Sequence, residues 1–564
     1  MSRASLTDEI VDRLRQRPDG VVLSVSSSRD DSWTDLSVRD FHRSVTAIAK
    51  GLMALGIQPG DRIVLRSRTR HEWTLVDYAI WWAGAATVPL YETSSTDHAR
   101  WVVEDSEAKL AVVESGDGDL GVPTWTIESS DADLSGLAAA GAAISDEDLE
   151  ARRAAVGAAD VATIIYTSGT TGTPKGCPLT HANLRAEIDG AVGRLPEIFT
   201  GEDAATLLFL PLAHVFARII QIGAINAGVR LGLTSDVSQL PERLGTFKPT
   251  FILTVPRVLE RFFNLASQQA YADNRGGFFD RAVQTAIAYS RALDRGKPGV
   301  ALRTRHSVFE RTVYRKLRET FGEQVAWAIV GGAPLGERLA HFYRGIGLPV
   351  LEGYGLTETS GAIAVNTPEE NRIGTVGKPM PGTEIRVDSG GELKVRGPQI
   401  FSGYWNNPAA TEACLDEDGW FSTGDLGDID DDGFVRILGR RKEILITAGG
   451  KVVAPAVLED RIRAHPYVSQ CLVVGDGKPF VAALVTIDQS AWSGKLTDPE
   501  LLAAVQSAVD SANAVVSQAE AVRKFAILDE DWTQTNGYLT PSLKVKRSVV
   551  LSDFHDTVEA LFVR

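Results

Sequence analysis

The chain has little sulfur, with three Cys and three Met among 564 residues. Cys177, Cys414 and Cys471 are odd in number, far apart and outside any CxxC or His-rich spacing, which argues against a disulfide frame or structural zinc and for reduced thiols. Long apolar runs are missing too. The least polar stretch, residues 78–91, is 14 residues long and contains Pro89, whereas crossing a bilayer takes about 20. The start, MSRASLTDEIVDRLRQ, lacks the apolar segment of a secretory signal. A cytoplasmic protein is therefore expected, with peripheral contact at the inner face of the membrane left open. Positive charge is the minority, 58 Lys and Arg against 73 Asp and Glu, a net of −15. Such a surface repels a phosphate backbone, so nucleic acid is not an expected partner, although a local basic pocket for a phosphorylated ligand is compatible with it. Internal repeats and low-complexity tracts are also absent.

What is present reads as an ordinary globular chain, 44% hydrophobic and 23% charged, long enough for several folding units. In the first third, RIVLRSR (62–68), ATVPLY and LAVVES read as strands, with helices in HEWTLVDYAIWWAG and STDHARWVVEDSEAK between them. Strict alternation predicts crossover connections and a parallel sheet covered on both faces. Residues 117–160, rich in Ala, Gly and Asp, read as a surface excursion. The alternation resumes with VATIIYT, LLFLPLA, FILTVP, VAWAIV and LPVLEGY. From about Ile373, closely spaced turn signals (DSGGE, DEDGW, DDDGF) predict a small antiparallel sheet or barrel over about 373–438. After the charged tetrad Gly439, Arg440, Arg441, Lys442, a mixture of helices and strands predicts a separate small α+β domain.

Chemistry is concentrated in YTSGTTGTPKG (166–176), directly after a strand. Glycines and hydroxyl side chains allow backbone N–H groups to close around phosphate oxygens, and Lys175 adds a cation. It is not a Walker loop: counted from Gly169, the sixth position is Pro174, and Lys175 is followed by Gly176 rather than by a magnesium-binding hydroxyl. The segment resembles the signature loop of the adenylate-forming superfamily, which includes acyl-CoA synthetases, aryl-CoA ligases, luciferases and nonribosomal adenylation domains. GGAPL (331–335), EGYGLTET (352–359), STGDLG (422–427) with GRRKE (439–443), and LTPSLKVKR (539–547) follow in the superfamily's order.

The resemblance implies an N-terminal adenylation domain over 1–438, built of two stacked parallel-sheet αβαβα subdomains and a small β-barrel. A hinge at 439–442 and a mobile α+β domain over 443–564 would follow. It also implies ATP, magnesium and coenzyme A as reactants or cofactor. Thr167, Ser168, Gly169, Thr170, Thr171, Gly172 and Lys175 would hold phosphates. Gly332 and Ala333 would border adenine, with Tyr354 stacked on it within Glu352, Gly353, Tyr354 and Gly355. Thr357 would touch the α-phosphate, and Glu358 with Thr170 would hold magnesium. Asp425 and Arg440 would bind ribose. Lys544, with Lys546 as a competing candidate, would neutralise charge as the adenylate forms; Leu543 stands where many relatives have glycine. Lys442 would be the pivot that later presents Gly449 and Gly450 to a pantetheine arm.

PLAHVFAR (211–218) is similar to the acyl-site motif of long-chain fatty acyl-CoA synthetases, which places His214, Val215 and Phe216 at the acyl pocket. GAINAGVRLGL, VPRVLERFF and the helical region 266–320 add to that likeness. The implied activity is formation of acyl-AMP and then acyl-CoA from a long-chain fatty acid. Alternatives are an acyl-AMP ligase loading a carrier protein, a ligase for medium-chain or aryl acids, an NTPase yielding ADP, or a non-catalytic binding module. The expected partners are small molecules, and the chain is compatible with a monomer or a homodimer.

Overall fold

The computed structural model describes residues 5–26, 32–116, 119–128, 134–167, 174–540 and 544–563. Two large sheets lie across a shared layer of helices. The first runs in the order Thr124–Thr126, Leu110–Val113, Arg62–Arg66, Ala86–Leu90, Val161–Thr167, Lys175–Thr180, all parallel except the last pair. The second has a parallel centre made of Val350–Leu356, Trp327–Val330, Phe251–Thr254, Ala205–Leu208, Arg230–Leu233 and Val21–Ser26, with antiparallel strands at both edges.

Alternation along each strand explains the layering, because successive side chains face opposite ways. Leu231, Leu253, Ile329 and Leu351 point into the core between the sheets, where Ile63, Leu65, Leu110 and Val112 meet them from the other side. Leu207, Ile252, Ala328 and Val330 point outward under the helices of residues 256–345, and Val64, Val88, Ala111 and Val113 do the same in the first sheet. The helix His71–Trp82 is buried on nearly every side because it lies between the two sheets. There Arg218, on the helix Val215–Ala227, pairs with Asp77 and bonds Thr163, tying the middle layer to the first sheet.

The parallel expectation and its strands hold, with two differences. Two strands with no counterpart in the sequence reading, Val21–Ser26 and Trp33–Ser37, extend the second sheet. Residues 117–160 are not merely a surface excursion: Leu137 and Leu149 are buried, on the helices Leu134–Ala140 and Asp146–Ala154. Small residues permit this, since a Cβ on Gly51 would stand 2.0 Å from the Leu137 carbonyl oxygen.

The turn-rich region is a four-stranded antiparallel sheet, Glu384–Val387, Glu392–Arg396, Phe421–Ile429 and Val435–Arg440 in that order. Beyond it, Val468–Val474, Val481–Ile487 and Val522–Ile527 form a three-stranded sheet with its own apolar core on each face. Among the described residues no helix is long and apolar enough to cross a membrane.

Candidate active site

A cleft of about 2140 Å³ opens between the C-terminal ends of the parallel strands and the C-terminal segments. That exceeds the roughly 300–1,000 Å³ of an ordinary small-molecule pocket, so it has room for more than one ligand. Strand ends supply its floor. Val350–Leu356 ends in Gly353, Tyr354, Gly355 and Leu356, and the 3₁₀ turn Thr357–Thr359 places Thr357 and Glu358 beside them. Gly355 is required by close strand approach, since a Cβ there would lie 1.8 Å from the Gly361 carbonyl oxygen.

The Tyr354 hydroxyl donates to Asp425, whose other oxygen lies 2.8 Å from Arg440 Nε. Asp425 is buried, which pushes its carboxyl up, while the Arg440 charge opposes the shift. Lys544 comes to the same place from the C-terminal segment. Although Lys544 is exposed as a whole, loss of solvent around its ammonium among the cleft walls and the Arg440 charge lower that group from its ordinary value, with Asp425 pulling the other way. Lys546 also lines the cleft.

His214 caps the helix Val215–Ala227 by accepting the Phe216 N–H at Nδ1, 3.2 Å. Burial first, then the charge of Lys544, pushes its imidazole down to about 4, so it is neutral at physiological pH. Phe216 packs on Gly331, where a Cβ would come within 3.0 Å of its ring. Gly332, at φ +83°, lines the cleft next to it.

Other expected residues are placed differently. Ser168, Gly169, Thr170, Thr171 and Gly172 lie outside the described residues, but the two strands flanking them bring Thr167 and Lys175 to the cleft. Ala333 is exposed and outside the cleft lining. Glu352 faces away from it: its carboxyl accepts the Leu335 N–H at 2.9 Å, bracing GGAPL from behind, and burial pushes it up to about 8. Lys442 is exposed at the cleft edge. Gly449 and Gly450 are not brought to the cleft; they sit in a turn closed by Thr447 and Lys451, because the small domain presents Lys544 instead.

Sequence reasoning missed two residues. Tyr404 donates to Glu358 Oε1 at 2.7 Å and lies under the Lys175 ammonium, 4.8 Å from ring centre to nitrogen. The aromatic pair in SGYWNN was the available signal. Glu187, on the helix His181–Arg194, accepts the Ala362 N–H at 2.7 Å and is 2% exposed. Nothing in its sequence context marks it.

Beyond His214 the cleft continues as an apolar passage past Ala191, Leu195, Phe199, Ile219, Ile220 and Met380. Glu187, Ala191 and Leu195 are four apart on one helical face, and at about 1.5 Å rise per residue they line roughly 12 Å of it. Burial pushes the Glu187 carboxyl up to about 8. Between its unfolded pKa and about 8 the unfolded chain releases a proton that the folded chain keeps, so stability falls as pH rises. Glu187→Gln should therefore gain thermal stability over the parent at pH 8 but not at pH 5; an equal difference at both values would contradict a neutral Glu187.

For magnesium, the donor set fits an ion that takes most ligands from phosphate and water. Glu358 offers one carboxylate, partly held by Tyr404, and among the described residues no group of three or more His, Cys, Asp or Glu competes with it.

Comparison with known proteins agrees with the motifs. The family model described as AMP-binding enzyme matches residues 10–405, and that described as AMP-binding enzyme C-terminal domain matches 442–564. The chain is 48% identical over 560 residues to long-chain-fatty-acid–CoA ligase FadD15 of Mycobacterium tuberculosis, covering 94% of this chain and 93% of that one. It is 30% identical over 570 residues to the peroxisomal long chain acyl-CoA synthetase 6 of Arabidopsis thaliana, covering 92% and 80%. In fold it is similar to O-succinylbenzoate coenzyme A synthetase from Bacillus subtilis in complex with AMP, with a TM-score of 0.72, 22% identity and coverage of 97% and 98%. ATP-bound MatB from Rhodopseudomonas palustris gives 0.72 and 24%, covering 98% and 99%.

Proposed function

Because the chain belongs to the AMP-binding enzyme family, we propose that it is an AMP-forming long-chain fatty acid–CoA ligase. One observation carries the reading: Lys544, His214, Tyr354 and Thr357 converge on a cleft that continues into a long apolar passage.

A carboxylate is a poor electrophile because its oxygen leaves badly. In the proposed first step a carboxylate oxygen attacks the α-phosphorus of ATP, and the bond to pyrophosphate breaks. The protein's contribution is to align two anions and offset the charge that develops between them. Lys544 supplies an ammonium at the junction, and Thr357 a hydroxyl beside the phosphate. Tyr354 offers a flat face to adenine, while Asp425, held by Arg440, accepts from the ribose hydroxyls. Neutral His214 and Phe216 border the acyl group, keeping cationic charge off the chain side. Glu358 and Thr170 would hold magnesium, which when bound supplies neutralisation of phosphate charge. In the second step the coenzyme A sulfur attacks the acyl carbon, the carbon–oxygen bond to AMP breaks, and AMP leaves with that oxygen.

The two steps need different groups in one place. We assign residues 1–438 to the adenylation domain and 443–564 to the small domain, with Lys442 as the pivot between them. Rotation there removes Lys544 and brings Gly449 and Gly450 to the thioester step, where their lack of side chains leaves space for a pantetheine arm.

Asp425→Ala should raise the KM for ATP by roughly 10- to 100-fold, the value of a hydrogen bond to a charged group at about 1.5–3 kcal/mol; an unchanged KM would contradict the ribose role. The reading as a whole is tested by AMP release with fatty acids of increasing length and a benzoate control. Turnover should favour long chains and fail with benzoate. Comparable turnover of benzoate would overturn the acyl assignment, and AMP release with no acid would overturn the ligase reading.

A further inference from the structure

Residues 291–318 reverse the charge balance of the chain. With Glu319, which ends the last helix, they contain nine Lys or Arg and three Asp or Glu, a net of +6 in a protein of net −15. They span the end of the helix Gly276–Asp294, a turn, and a helical run made of Val300–Phe309, a π-helical turn Glu310–Tyr314 and Arg315–Glu319. All three carboxylates are engaged, Asp294 with Arg344 at 2.6 Å, Glu310 with Arg318, and Glu319 with Arg315 at 3.1 Å. Arg291, Arg295, Lys297, Arg303, Arg305 and Arg311 are exposed, and among the described residues none of them forms an ion pair.

Aliphatic side chains stand among these cations at high exposure: Val300 at 78% and Val308 at 53%. Their spacing of eight residues puts them on one helical face. The hydroxyls there are already satisfied within the helix. Thr304 donates to the Val300 carbonyl at 3.1 Å, Ser307 to Arg303 at 3.0 Å and Thr312 to Val308 at 2.9 Å. Taking this face out of water therefore strands no hydroxyl donor. The opposite side is fixed to the body of the protein by buried Phe309 and by Tyr314, whose hydroxyl donates to the Ala282 carbonyl at 2.7 Å. The face is a rigid surface with an aliphatic centre and a cationic surround.

We propose that the helical run from Val300, with the preceding turn, docks on an anionic lipid bilayer, its arginines at the headgroups and Val300 and Val308 in the boundary below them. The aliphatic centre favours lipid over single-stranded nucleic acid, whose bases stack on aromatic platforms. These helices cover the outer face of the second sheet, whereas the acyl passage lies on its inner face. Docking thus leaves the passage unobstructed, and the inference does not depend on which acid the cleft activates.

The test is co-sedimentation of the full chain with vesicles of phosphatidylcholine alone or mixed with phosphatidylglycerol. The protein should bind the mixed vesicles, release them as salt rises, and ignore the neutral ones. Each basic residue near an anionic surface contributes about a fivefold gain in partition, so Arg303→Glu/Arg305→Glu/Arg311→Glu should lose about 100-fold or more. Val300→Asp/Val308→Asp should also bind weakly. Both variants should keep the parent's thermal midpoint and ligase activity on detergent-dispersed substrate. Equal binding to neutral vesicles, or unchanged binding of the charge-reversal variant, would overturn the proposal. So would full vesicle binding by the valine variant together with competition by duplex DNA, which would make the face a general polyanion site.

Discussion

Lys544→Ala is expected to lower acyl-adenylate formation by about 10²–10³-fold, the usual effect of removing one preorganised group that stabilises transition-state charge. Conversion of supplied acyl adenylate to acyl-CoA should continue near the parent rate. The asymmetry follows from position. Lys544 lines the cleft, near enough to His214 for its charge to lower that imidazole and to Asp425 for the carboxylate to act on the ammonium. It reaches this point from a segment outside the large sheets, closed by the Thr540 N–H to Lys544 carbonyl bond at 2.8 Å. Pyrophosphate release and thioester formation, followed separately, provide the measurement. Equal loss in both would mean that Lys544 is needed for integrity rather than for one half-reaction. Retained adenylation in Lys544→Ala with loss in Lys546→Ala would transfer the role to the neighbouring lysine.

Arg218→Met should destabilise the protein by about 3–5 kcal/mol, the cost of leaving one buried charge without its partner. Arg218 is 1% exposed and Asp77 is fully buried. The guanidinium pairs with Asp77, bonds Thr163 and lies over Trp73 and Trp81 at 5.5 and 5.3 Å. Removing it leaves a carboxylate between two sheets that still accepts from Thr87 at 2.7 Å but has no countercharge from Arg218. The double variant Asp77→Asn/Arg218→Met should recover much of the loss, because no isolated charge is left. Denaturant midpoints of the parent, both single variants and the double variant measure this. A loss below about 1 kcal/mol in Arg218→Met would show that solvent reaches the site.

Much of this was legible in sequence for physical reasons that differ by segment. VATIIYT and FILTVP announce buried parallel strands because both faces are covered, so nearly every position is apolar. PLAHVFAR pointed to the acyl pocket; that His214 also caps the helix Val215–Ala227 emerges only in the fold. Val21–Ser26 was not assigned to its sheet, since its partner Arg230–Leu233 lies about two hundred residues away and nothing local records the pairing. The helices within 134–154 pack through Ala and Gly, which also suit loops, so composition pointed the wrong way. Glu352 shows the limit for site residues: motif membership put it at the nucleotide, yet its side chain turns back to the Leu335 amide. Tyr404 and Glu187 reach the cleft from segments remote in sequence, and their roles depend on partners that only the fold supplies.

In adenylation by this ligase a fatty acid oxygen becomes bonded to the α-phosphorus of ATP. This bond formation is tested most directly by supplying palmitate labelled with ¹⁸O in both carboxyl oxygens, together with ATP and coenzyme A, and taking the mass of the products. One ¹⁸O should appear in each AMP released and one in the acyl-CoA carbonyl. AMP without label, or ADP and phosphate as products, would contradict it.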